Sequence, residues 1–156
     1  MSGHGAPRID LTGAAGLKVT VVAGMWHEQI SEALLAGALR VLDSAGAVTT
    51  VVRVPGSFEL PVASQAALES GADAVVALGV IIRGGTPHFE YVSSAATTGL
   101  TEVALRTRKP VGFGVLTLDD EQQGLDRAGL PGSKEDKGAE AAEAALHTAS
   151  VLRGLR

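Results

Sequence analysis

The stretch "DAVVALGVII" (73–82), followed at once by "RGGTPHFEYV" (83–92), decides how this chain must fold. Its first part is apolar without a break from Ala74 to Ile82. A half-exposed strand would alternate, so this run reads as a strand buried on both faces. Gly84, Gly85, Thr86 and Pro87 then stop it, and a long helix is predicted from about His88 to Thr107.

Outward from that unit the same rhythm repeats. Upstream, "LKVTVVAG" (17–24) and "VTTVVRV" (48–54) are short β-branched runs that predict strands. "HEQISEALLAGALRVLDSAG" (27–46) spaces Ile30, Leu34, Leu35, Leu39 and Leu42 at helical intervals, with Gly46 as a stop, and "ELPVASQAALESG" (59–71) predicts a second helix. Downstream, "VGFGVLT" (111–117) is a fourth strand, and helices are predicted over 119–129 and 134–156. The first ten to twelve residues read as a tail or arm. Four alternations of strand and helix predict one α/β domain over 1–156, built as βαβ units on a parallel sheet with helices on both faces.

Composition sets outer limits. With 156 residues, 46% of them hydrophobic, the chain is long enough to bury a core, and with 3% aromatics that core is aliphatic. Thirteen basic and 17 acidic residues show no basic block, which argues against nucleic acid as a partner. The absence of cysteine excludes disulfides and thiolate chemistry. No apolar run approaches the roughly 20 residues that span a bilayer, and "MSGHGAPRID" lacks the apolar centre of a secretion signal. A cytoplasmic protein is the expectation.

In parallel α/β sheets ligands collect at the carboxyl ends of the strands, and the unusual residues fall there. Gly24 to His27 follows the first strand, Pro55 to Glu59 the second and Arg83 to His88 the third, with Phe113 and Thr117 placed at the end of the fourth. Gly84-Gly85-Thr86 before a helix offers backbone N–H groups and the helix dipole to an anion such as phosphate. Spacing alone leaves open a plain helix start, with Thr86 as cap and Pro87 at the first position. It is neither a Walker loop nor a dinucleotide fingerprint. His88 lies in the first turn, where the dipole disfavours an imidazolium, so it is a candidate proton shuttle; a solvated or capping role is the alternative. His88 and Glu90 point to different helix faces, so no metal site is expected.

Trp26, Phe58 and Phe113 stand out in so aromatic-poor a chain, as surfaces for a flat ring, although each could simply fill core. Glu59 opens a helix and could hold the hydroxyls of a sugar-like chain, while Arg127 and Lys137 flank the late loop "AGLPGSKED" (128–136). From residues alone, a phosphate and a flat polar heterocycle bind a flavodoxin-like edge beside one histidine.

The segments "PGSFELP" (55–61), "ALGVIIRGGTPHFEYV" (77–92), "PVGFGVLT" (110–117), "LDRAG" (125–129) and "EDKGAEAA" (135–142) together resemble lumazine synthase in order and spacing, from about Val19 to the C-terminus. The resemblance implies a flavodoxin-like three-layer αβα sandwich with strand order 2-1-3-4, extended in the assembly by an N-terminal strand from a neighbouring subunit. It implies condensation of 5-amino-6-(D-ribitylamino)uracil with 3,4-dihydroxy-2-butanone 4-phosphate, the penultimate step of riboflavin synthesis, with no metal or organic cofactor. The runner-up is a non-catalytic binder of a flavin or phosphate ligand on the same fold, and behind it stands a structural shell protein.

Carried over by position, Trp26 would stack on the pyrimidine, Ser57, Phe58 and Glu59 would hold the ribityl chain, and the backbone of Val80, Ile81 and Ile82 would read the pyrimidine edge. Gly85 and Thr86 would bind phosphate and His88 would move protons. Phe113, Arg127 and Lys137 match positions supplied by a neighbouring subunit, with Arg127 pairing to the phosphate. Gly85 departs from the longer side chain of many members, leaving only backbone there. The loop between Arg127 and Lys137 is longer than the turn of sixty-subunit members, so a homopentamer is the expected assembly, with riboflavin synthase as a further partner.

Overall fold

The structure, a computed structural model, describes residues 4–156. Residues 1–3 of the expected arm lie outside the described residues. Strands β1 (Lys18–Gly24), β2 (Val48–Val54), β3 (Ala74–Ile82) and β4 (Val111–Leu118) form one parallel sheet in the order β2-β1-β3-β4. Helices α1 (Glu28–Ser44), α2 (Leu60–Glu69), α3 (His88–Thr107), α4 (Glu121–Leu125) and α5 (Lys137–Gly154) complete the flavodoxin-like αβα arrangement.

β3 shows why its sequence reads as unbroken apolar. Ala74, Val76, Leu78 and Val80 pack with Ile30, Leu34 and Leu42 of α1 and Ala142, Ala145 and Leu146 of α5. Val75, Ala77 and Ile81 pack with Leu60 and Leu68 of α2 and Leu100 and Val103 of α3. Successive side chains of a strand point to opposite faces, so both sets must be apolar. Each fully buried Leu, Ile or Val contributes roughly 1.5–3 kcal/mol, enough to hold the layers without aromatic filling. Layer spacing is tight: a methyl at Gly138 would run into Leu34 O, bringing the start of α5 onto α1.

Helix boundaries differ from the sequence expectation, most of all in α1, α4 and α5. His27 cannot begin α1, because it takes a left-handed conformation (φ 57°, ψ 69°). The helix expected over 119–129 is only Glu121–Leu125. Asp120 caps it by accepting from Gln123 N (2.9 Å), and the chain then turns at Gly129 (φ 70°) and bridges back between Ala128 and Asp136. The last helix starts at Lys137 rather than 134, since Asp136 is its non-helical cap and accepts from Ala139 N (3.1 Å).

Residues 4–17 contain no helix or strand. Leu11 packs on the core, and the Asp10 carbonyl accepts from His147 Nδ1 (3.0 Å). β2 is an edge strand whose Val48, Val51 and Val52 are exposed.

Candidate active site

The strand order reverses between β1 and β3, and a crevice opens beyond the carboxyl ends of the strands at such a point. Here it is a cavity of about 670 Å³, within the range of small-molecule sites. Three loops and the first turns of α3 make its walls.

The β1 loop is tied to the β2 loop by Met25 N donating to Pro55 O (3.1 Å). The left-handed backbone at His27, uncommon outside glycine, turns the chain sharply into α1. Trp26 beside it leans on Gly56, where an added Cβ would come within 3.1 Å of Trp26 Cδ1. The indole remains 67% exposed, a flat apolar surface at the cavity mouth.

After β2, Ser57, Phe58 and Glu59 form a single 3-10 turn. Glu59 Oε1 accepts from Gly56 N (3.0 Å), which fixes the carboxylate beside the cavity. Ser57 is buried, yet among the described residues its hydroxyl has no partner. It fits only because Gly79 of β3 lacks a side chain: a Cβ there would collide with Ser57 Oγ and stand 3.0 Å from Leu60 Cδ1. A buried unpaired hydroxyl costs free energy unless something bonds it, so this one suits a ligand's polar group.

After β3, the chain passes through Gly84, Gly85, Thr86 and Pro87, all exposed. Among the described residues, the backbone N–H groups of Gly84, Gly85 and Thr86 have no internal acceptor. The plain capping alternative is weak: Thr86 Oγ1 lies 3.5 Å from His88 N, the far limit of a hydrogen bond. Unpaired N–H groups at the start of the 20-residue helix α3 are an anion-binding arrangement. His88 borders the same cavity.

The structure therefore brings together Trp26, Ser57, Phe58, Glu59, Val80, Ile81, Ile82, Thr86 and His88. Gly85 sits in the loop between the lining residues Gly84 and Thr86 but does not itself border the cavity. Phe113 is a correction. It is the third residue of β4, paired with Ala77, and so lies well short of the strand's carboxyl end, half-exposed on the open edge strand. Arg127 and Lys137 also lie outside this cavity. They share Glu135: Arg127 Nε is 3.6 Å from Oε2 and Lys137 Nζ 3.6 Å from Oε1. Lys137 also pairs with Glu140 (3.3 Å), and Lys137 N donates to Arg127 O (2.9 Å).

Sequence reasoning gave no role to Phe89, Tyr91 and Val92, and placed His27 and Gly56 at the ligand edge without naming them as site residues; all five line the cavity. A signal for the aromatics was present. The chain has five, one Trp, one Tyr and three Phe, and four of them (Trp26, Phe58, Phe89, Tyr91) line this one cavity, which gives it flat apolar walls.

Fold and cavity define a flavodoxin-like α/β protein with an aromatic-walled cavity and a glycine-rich loop of N–H groups without internal acceptors at its topological switch point. The family model described as 6,7-dimethyl-8-ribityllumazine synthase matches residues 16–153. A 6,7-dimethyl-8-ribityllumazine synthase of Clavibacter michiganensis subsp. michiganensis is 74% identical, covering 100% of this chain and 99% of its own. The same-named proteins of Clavibacter sepedonicus (75%, again 100% and 99%) and Pseudarthrobacter chlorophenolicus (66%, 98% of each chain) are similar over the same extent. The chain belongs to the 6,7-dimethyl-8-ribityllumazine synthase family.

Proposed function

We infer that the chain is a transferase that condenses 5-amino-6-(D-ribitylamino)uracil with 3,4-dihydroxy-2-butanone 4-phosphate to 6,7-dimethyl-8-ribityllumazine in riboflavin synthesis. The observation that carries it is convergence: in a member of this family, nine of the residues that the resemblance assigns to one substrate pair border one cavity, from Trp26 and Ser57 to Thr86 and His88. The pyrimidine amine adds to the ketone and expels water as an imine forms. Phosphate then leaves, and the second nitrogen closes the ring with loss of another water. No covalent bond to the protein is needed, so the rate enhancement comes from orientation and proton transfer.

In this reading Trp26 stacks on the pyrimidine, whose edge meets the backbone of Val80 to Ile82. The ribityl hydroxyls meet Ser57, Phe58 and Glu59, where the unpartnered Ser57 hydroxyl and the pinned Glu59 carboxylate support the assignment. The phosphate lies on the N–H groups of Gly85 and Thr86, and His88 moves the protons. Phe113, Arg127 and Lys137 close the site from a neighbouring subunit. Their position outside their own chain's cavity supports sharing, as does the exposed valine edge of β2, which an arm of another copy could extend. The assembly is taken as a homopentamer in the cytoplasm, with riboflavin synthase as its partner.

Mixing the two substrates with the protein tests the function. The expected result is lumazine absorbance growing with stoichiometric phosphate release; saturable binding with no product would leave only a binder.

A further inference from the structure

The loop thought to hold the phosphate has nothing of its own to define its shape. A Cβ at Gly84 or Gly85 would meet no atom within 4 Å, so no neighbouring group packs there. Two consecutive glycines are the most freely rotating pair a chain can have. The ends of the loop must therefore set its geometry, and one exposed side chain spans them.

Arg83 leaves β3 with its N–H on Leu118 O (2.8 Å) of β4. Its Nε donates to Asp119 Oδ1 (3.1 Å), at the carboxyl end of β4. Its Nη1 donates to Glu90 Oε1 (2.7 Å), in the first turn of α3. Its guanidinium carbon stands 4.3 Å from the centre of the Phe89 ring, which borders the cavity. Asp119 is fixed in turn, its N–H donating to Gln123 Oε1 (2.8 Å) and its Oδ2 accepting from Gln123 Nε2 (3.4 Å). Arg83 and then Gln123 hold the Asp119 carboxyl below its ordinary range, which favours its charged form.

We propose that Arg83 is a positioning residue: its bridge from Asp119 to Glu90 and Phe89 holds the Gly84–Pro87 loop and His88 in the arrangement that receives the substrate phosphate. This rests on the functional reading above. Single exposed ion pairs contribute little, but a planar fork bonded at two edges and stacked on a ring restrains three segments at once. The Arg83 side chain makes no hydrogen bond to Trp26 or to the backbone of Val80 to Ile82, where the pyrimidine is placed, so its loss falls mainly on the phosphate substrate.

The test is steady-state kinetics with each substrate varied, alongside thermal unfolding. Arg83→Gln is expected to raise the KM for 3,4-dihydroxy-2-butanone 4-phosphate about fivefold to tenfold, leaving Tm and the pyrimidine KM nearly unchanged. Arg83→Lys, which keeps charge but not the fork, should fall between. Asp119→Asn separates positioning from direct phosphate binding. Removing the partner of a clamp raises the phosphate-substrate KM, whereas releasing an arginine that itself binds phosphate lowers it or leaves it alone. The double variant should be no worse than Arg83→Gln, because coupled residues are not additive. An active wild type whose Arg83→Gln variant keeps its KM overturns the clamp alone, as does an unchanged or lower KM in Asp119→Asn. A wild type that makes no lumazine overturns the functional reading, and the clamp with it.

Discussion

Replacing Gly79 by alanine tests whether the backs of the strands set the depth of the site. Gly79 has no positive φ, so alanine brings no backbone strain and the effect is steric. The new methyl would collide with Ser57 Oγ, and it would stand 3.3 Å from Ser57 Cβ and 3.0 Å from Leu60 Cδ1. Rotating the unpaired hydroxyl relieves only the first contact. Restoring ordinary carbon separations of about 3.5–4.0 Å at the others moves the Ser57–Glu59 turn by roughly half an ångström to an ångström. A buried methyl gains about 0.8 kcal/mol of transfer free energy, while overpacking typically costs 1–3 kcal/mol, so a net loss of about 1 kcal/mol follows. For a domain of this size that lowers Tm by roughly 2–4 °C. Activity should suffer more, because Phe58 and Glu59 ride on the displaced turn. Misplacement on the order of 1 Å can cost about a hundredfold, so kcat/KM for the ribityl-bearing substrate should fall roughly 10- to 100-fold. Kinetics and thermal denaturation read the two effects separately, and Gly154→Ala, whose methyl meets nothing within 4 Å and lies outside the cavity, is the steric control. A Gly79→Ala protein with unchanged Tm and unchanged kcat/KM would refute the reasoning.

Further outcomes follow from the same structure. His88→Ala should lower kcat about 10²- to 10⁴-fold with substrate KM values nearly intact, and an equal loss of binding in titrations would make the residue structural instead. Arg127→Ala should weaken the phosphate substrate about tenfold or more while sparing the pyrimidine. Mixed oligomers of His88→Ala and Arg127→Ala chains should recover activity by forming intact shared sites; none in verified mixtures would count against sharing. Burial first, then Glu140 and Asp136, raise the Glu143 carboxyl above its ordinary value. The folded state then holds that proton more tightly than the unfolded chain, so stability falls as pH rises through the interval between the two values. Glu143→Gln should therefore raise Tm by about a degree at pH 7 and leave it unchanged below about pH 4; a pH-independent shift would contradict this cause.

The fold was legible because burial writes itself into the strands. β3 is apolar throughout as both its faces are covered, and α1 carries its apolar stripe at helical spacing. Helix ends were less legible. Asp120 and Asp136 cap the helices that follow them through bonds three residues on, but each stands beside other acids, Asp119 and Glu121 or Glu135, from which the sequence does not distinguish it. Most of the site could be read because the carboxyl ends of parallel strands are where odd residues gather. Phe113 deceived that rule: in sequence it resembles the other edge aromatics, but strand register places it opposite Ala77. The Arg83 clamp was hidden for a related reason, since Asp119 comes beside Arg83 only when β4 pairs with β3.

The most direct measurement is a crystal structure of the assembled protein soaked with 6,7-dimethyl-8-ribityllumazine and inorganic phosphate. The expected density shows the ring against Trp26, the ribityl chain along Ser57 to Glu59 and phosphate on the N–H groups of Gly85 and Thr86. An empty cavity with the compound bound elsewhere would contradict the assignment of this site.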